Sequence, residues 1–290
     1  MFTFVIIQPI FKMSTAFAPK TRENPPCARN IPAHDAYTFR MTDFWLVFFS
    51  LHNDDPRPAG FGMFSHGHFV WLAAGVFFAL LLCRAYLAAP PAGRRRLRLV
   101  TAFGALAVEL SRAALLARAG LYGIDRLPLH LCAMAVYISV WHALRGGELT
   151  GQFLYAFCMP GALFALIFPD WSVYPFASFL TFAGFTGHFL IFTYVIMQTL
   201  TGDISPDIRR APACLGVMLA LAAAVFVFDR LTATNYMFLN YPSPGSPLEW
   251  FSFLGRPGYI LGYFPLIAAV WAAIYAPFCR RHIKKGADRA

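Results

Sequence analysis

Apolar runs of bilayer-crossing length recur along most of this chain, and that recurrence constrains the fold more than any motif does. They cover approximately Phe69–Ala89, Leu97–Ala119, Pro128–Leu144, Phe153–Phe168, Phe176–Leu200, Ala211–Phe228 and Gly258–Phe278. A segment inside lipid must satisfy its own backbone hydrogen bonds, which leaves helices or a closed barrel. Barrel strands alternate apolar and polar residues over roughly ten positions, whereas these runs are longer and continuous. The sequence therefore predicts an all-α polytopic membrane protein, a bundle of about seven transmembrane helices. Composition agrees: 58% of residues are hydrophobic and 13% charged, against about 25% charged in an ordinary soluble domain. The fourth run is short and contains Pro160-Gly161, where a kink is expected.

The formal charge of +10 is carried by short clusters between the runs. RRRLR (Arg94–Arg98) follows the first run, Arg145 the third, Arg209-Arg210 the fifth and RRHIKK (Arg280–Lys285) the seventh. This alternation fits the positive-inside rule; nucleic acid is not the expected partner, and membrane lipids are. It predicts an N-terminus outside, a cytoplasmic C-terminus and a multi-pass place in the cell inner membrane. The six cysteines show no C-x-x-C and no zinc-type spacing, so unpaired thiols and no metal are expected.

Residues 1–40 differ from the remainder. A short apolar start without a basic lead is a poor secretory signal, and the Pro-, Lys- and Arg-rich stretch after it is expected to be disordered. Either Met41 is the true start or the first forty residues are a dispensable extension, and Asp43–Leu51 is read as an interfacial anchor. Residues 41–290 then form a single helical domain. Its long loop, 231–256, is aromatic, proline-rich and nearly uncharged. It is expected either to fold back over the bundle as a cap on a cavity or to serve as an aromatic interfacial belt.

Ionisable groups inside a bilayer are costly and mark cavities and sites. In the stretch LPLHLCAMAVYISVWH, Pro128 suits a first helical position, and His130 and Cys132 follow one turn into the helix. Residues two apart on a regular helix point about 200° away from one another. His130 and Cys132 are then not expected to share a small pocket, and a base for Cys132 comes from another helix. His188 is the candidate, on a small, polar stripe with Thr181 and Gly184. His142 is placed at the interface, outside the site. Glu109 and Arg112, three residues apart, can pair on one helix face. A thiol needs a neighbouring base to become a nucleophile, so a Cys132–His188 pair with Glu109 or His130 orienting the histidine is a possible reaction centre. Packing of Cys132 as a small hydrophobe is the competing reading.

The blocks LPLHLC (Leu127–Cys132), YPF (Tyr174–Phe176), FTGHFL (Phe185–Leu190) and TNYMFLNYPSPGSPL (Thr234–Leu248), in that order, resemble the bacterial YwaF-like integral membrane proteins. These are similar to the eukaryotic transmembrane protein 164 family. The resemblance spans about Phe64 to the last run. It implies a phospholipid acyltransferase that moves an acyl group through a cysteine thioester, with Cys132 as the matching cysteine and His188 as the matching histidine. Acyl transfer also needs donors for an oxyanion; His130 or Asn235 are candidates, with Arg112, Glu109 and Tyr236 as further substrate-facing or orienting residues. No cofactor is implied. The alternative is a non-enzymatic transporter or receptor-like protein built on the same polar interior. For a transporter, no paired repeat of the usual kind is evident. For a retinal protein, the seventh run lacks a lysine.

Overall fold

A computed structural model of the protein describes residues 48–49 and 60–287, with side chains as far as residue 278. Residues 1–40 with Cys27, Met41, most of the Asp43–Leu51 segment and the side chain of Cys279 lie outside what it describes. Helices and turns make up the described residues, with no strand among them. The helices are α1 (His66–Ala88), α2 (Pro91–Arg118), α3 (Leu131–Arg145), α4 (148–167), α5 (Phe179–Thr201), α6 (Ala211–Thr232) and α7 (Tyr263–Ala287). Six helical stretches, all but α3, are long and apolar enough to cross a membrane. The chain is thus a multi-pass membrane protein whose outward side chains, such as Phe77, Leu80, Val100 and Val227, meet lipid.

The crossings alternate between two poles. At one, the amide of Phe61 donates to the Tyr174 carbonyl (3.1 Å) and the Tyr236 hydroxyl donates to the Ile124 carbonyl (2.7 Å). This cap pole gathers the start of α1, the α2–α3 and α4–α5 connections and the long segment 233–262. At the other, Arg210 pairs with Glu148 (3.0 Å) and the Tyr86 hydroxyl donates to Asp203 (2.6 Å). The clusters Arg94–Arg98, Arg145 and Arg209-Arg210 all fall at this basic pole. Helices α4 and α5 are central. The spanning windows that contain them are 67% and 56% buried, against 17–22% for α1, α2, α6 and α7.

Two local departures from expectation have identifiable causes. The first is that α3 begins at Leu131, not at Pro128. The Tyr236 hydroxyl accepts the Leu127 amide proton (2.7 Å), and the Leu129 amide turns back on the Leu127 carbonyl (2.8 Å). The lead-in is thereby held out of the helix, and His130 is the N-cap, with extended φ −68° and ψ 145°. Fifteen residues of helix rise only about 22 Å, so this irregular lead-in completes the third crossing where it is sheltered by protein. The second departure is in α4. It runs Glu148–Phe153, then a π-helical stretch Leu154–Cys158, then Met159–Ile167. Pro160 has no amide proton to give to the carbonyl four residues back. That carbonyl, of Ala156, accepts instead from the Trp271 indole N–H (3.0 Å), which ties α7 to the bundle.

Segment 233–262 folds back over the cap-pole end of the bundle. Three non-glycine residues in it, Ala233, Met237 and Phe238, have φ of 57°, 51° and 54°. Such conformations cost energy and persist only where the surroundings over-determine them. Here the buried Asp229 carboxylate accepts from the Thr234 hydroxyl (2.6 Å) and the Tyr236 amide (3.0 Å), while the Tyr263 and Tyr259 hydroxyls donate to the Met237 and Phe238 carbonyls (2.7 Å each).

Candidate functional site

Beneath this cap, the helices line a cavity of about 650 Å³. That is the size of a small-molecule site. Cys132, His188, His130, Glu109 and Arg112 all line it. Asp170 and Trp171, from the α4–α5 connection, line it too. Asp170 is close enough to act electrostatically on His130, Cys132 and His188, and His130 acts on His188 in the same way.

His130 and Cys132 share this cavity, against the helical-wheel expectation. The wheel applies only within a helix, and His130 precedes the first turn of α3. Cys132 sits in that first turn. The opening amides of a helix have no intrahelical acceptor, and no side chain caps α3. They and the helix dipole make this end of α3 a natural seat for negative charge.

The two histidines are held in complementary tautomers. His188 Nδ1 lies 2.6 Å from the Gly184 carbonyl of its own helix. A carbonyl only accepts, so Nδ1 carries the proton, and in the neutral ring the lone pair is on Nε2. His130 shows the reverse arrangement. The Met237 amide donates to its Nδ1 (3.3 Å), so its proton is on Nε2. The left-handed turn of the cap is what aims that amide at His130, and the Tyr236 and Phe238 rings flank the imidazole at 5.1 and 5.5 Å. Among the described residues, no group bonds Nε2 of either ring. His188 further stacks on the Trp171 indole (4.7 Å between centroids, 23° between planes). Gly184 permits this approach, since a Cβ there would meet the indole at 2.7 Å.

Glu109 and Arg112 form a two-contact ion pair on α2 (2.7 and 3.1 Å), so the guanidinium enters the cavity already neutralised. Asn235 is not among the lining residues. Its amide group is spent inside the cap, accepting from the Asn240 and Tyr241 amides and donating to the Tyr241 carbonyl. Tyr236 likewise acts behind the site, pinning the α3 lead-in. His142, expected at the interface, is buried with only 6% exposure and bonded to the Tyr194 hydroxyl (2.8 Å). Near its end α3 is covered by α5, which places His142 inside the bundle. Cys83, Cys158 and Cys214 are buried free thiols, and Cys132 is half-buried. Among the described residues no group of three His, Cys, Asp or Glu could hold a metal ion.

Asp170 and Trp171, which line the cavity, and Asp229, which braces the cap, are absent from the residues the sequence points to. Asp229 does carry a signal: it is a carboxylate at the end of an apolar run, beside Arg230, the kind of residue that marks a site. Nothing in the sequence shows which histidine Trp171 will stack on.

Fold and cavity together define an all-α, multi-pass membrane protein with a capped interior chamber that holds one thiol and two imidazoles. The chain belongs to the TMEM164 family, whose model matches residues 63–275. No curated protein and no solved structure matches it.

Proposed function

We propose that this chain is a membrane acyltransferase that carries an acyl group on Cys132 and hands it to a lysophospholipid. The observation that carries the reading is the complementary pair of tautomers beside a thiol in one chamber: His188 Nε2 offers a lone pair, His130 Nε2 offers a proton. In the first half-reaction, His188 takes the Cys132 proton as Sγ attacks the acyl carbonyl of the donor lipid. The carbonyl oxygen becomes an oxyanion, which His130 Nε2–H and the free amides opening α3 stabilise. The intermediate collapses by breaking the bond to the donor's alkoxide oxygen, which leaves with the proton from His188. In the second half-reaction, His188 takes the proton of the acceptor hydroxyl, that oxygen attacks the thioester, and the Cys132 thiol is regenerated. The Asp229-braced cap positions His130, and Trp171 with Gly184 fixes His188. The resemblance of the four sequence blocks points to the same chemistry.

The basic pole is assigned to the cytoplasm of a cell inner membrane by the positive-inside rule. A reporter active only outside the cytoplasm should work when fused within 240–246 and fail when fused at 146–147; the opposite pattern would invert the assignment. For the chemistry, the purified protein in lipid nanodiscs is given p-nitrophenyl decanoate as donor and lysophosphatidylcholine as acceptor. Decanoyl-bearing diacyl product should form with the native chain and stay at background with Cys132→Ala. Equal product from both proteins would overturn the reading.

A further inference from the structure

The chamber has a polar end near the cap and an apolar end toward the basic pole. The deepest lining residues toward the basic pole are Ala156 on α4, Leu215 on α6 and Trp271 on α7. One step further in, Tyr155 and Tyr275 meet ring to ring (5.3 Å), and the Tyr155 hydroxyl bonds the Ile274 carbonyl (2.7 Å). Cys132 lies near the other end, where its neighbour Leu131 meets Gly161. Ala156 precedes Gly161 by five residues on the same helix, so the floor lies on the basic-pole side of the thiol.

We propose that Trp271 is the residue that sets how long an acyl chain the chamber accepts. This deepens the acyl-transfer reading and rests on it. The indole is held, not merely packed. Its N–H donates to the carbonyl that Pro160 leaves free, and its ring lies edge-on to Phe157 (5.4 Å). A tail entering past Cys132 runs between α6 and α7 along Met218, Ile267 and Val270, all apolar and all lining the chamber, until it meets a tryptophan that cannot swing aside without giving up its hydrogen bond. A lipid-facing tryptophan would not need a backbone acceptor from a neighbouring helix, whereas a stop does.

The test uses N-alkylmaleimides with saturated tails of increasing length, reacted with the full chain in nanodiscs, and the Cys132 adduct is followed by peptide mass spectrometry. Partitioning of each probe into the bilayer is the same for every variant, so the ratio of variant to native rate at one tail length reports on the chamber alone. The native chain should show a length beyond which Cys132 labelling falls. Trp271→Ala should move that length up, by at most about five to eight methylenes, the ratio of the area an aromatic side chain covers to the area of one methylene. Trp271→Phe should move it less. Met218→Trp, which narrows the tail path from α6 and leaves the α7 contact intact, should move it down and guards against a folding defect in the first variant. If the cut-off stays where it is in both Trp271→Ala and Met218→Trp while Cys132 still labels, the floor assignment is wrong and the acyl-transfer reading stands. If Cys132 labels at no tail length, both fall.

Discussion

Two histidine-bearing regions near the cap pole make an instructive pair. Around His68, the Phe64 amide donates to Nδ1 (3.0 Å), Nε2–H donates to the Leu166 carbonyl (2.8 Å), and Phe61, Phe64 and Phe185 surround the ring. Both nitrogens are spent and the residue has no exposure. It is a bolt between α1 and α4. In the chamber, His130 and His188 each spend one nitrogen on backbone and keep the other, and both line the hollow that holds Cys132. Residue type and depth are similar in the two regions, while His68 is fully buried and the two chamber histidines are partly exposed. On the proposed reading, what separates a structural imidazole from a reactive one is the unspent nitrogen and the space in front of it.

Breaking the chamber should therefore destroy chemistry, and breaking the bolt should cost stability only. The largest effect is expected from Cys132→Ala, which removes the atom proposed to carry the acyl group. Initial rates of nitrophenolate release coupled to diacyl product should fall by about 10⁴-fold or more, as when other enzymes lose their nucleophile. His188→Gln should come next, with a fall of roughly 10²–10⁴, the usual worth of a positioned base. His130→Phe should cost about 10²–10³ in kcat, as for one lost oxyanion donor, with little change in KM. The smallest effect on activity belongs to His68→Phe. Rates per folded molecule should match the native chain, while the Leu166 carbonyl and Phe64 amide lose their partners at a cost of about 1–3 kcal/mol, visible as a lower Tm in detergent. Should His68→Phe silence the enzyme as fully as His188→Gln, the distinction between the two regions would not hold.

The sequence shows the bolt and the chamber unequally. Six of the spans are legible because a helix in lipid must be apolar over its whole length, and the pairing of Glu109 with Arg112 follows from a spacing of three. The start of α3 is not legible. It is set by the hydroxyl of Tyr236, more than a hundred residues away, which holds Leu127 in an extended lead-in. From that one remote contact follow the shared chamber of His130 and Cys132 and the failure of the helical wheel at that point. Along α3 alone His142 falls at the interface; the covering helix α5 and Tyr194, which bury it, come from elsewhere in the chain. The cap segment reads from its composition as either lid or belt, and only its tertiary bonds, anchored on Asp229, decide for a lid. Asn235 shows the same limit from the other side. It is polar and in the right block, and it is consumed within the turn it builds.

The fate of one sulfur atom tests the account most directly. The full chain in nanodiscs is exposed briefly to p-nitrophenyl decanoate without acceptor, quenched in acid, and mapped by peptide mass spectrometry with and without hydroxylamine. The account predicts a single decanoyl thioester on Cys132, released by hydroxylamine, discharged on adding lysophosphatidylcholine, and much reduced in His188→Gln. Decanoylation spread over Cys83, Cys158 and Cys214 as readily as over Cys132, or a Cys132 adduct that forms equally well without His188, would contradict it.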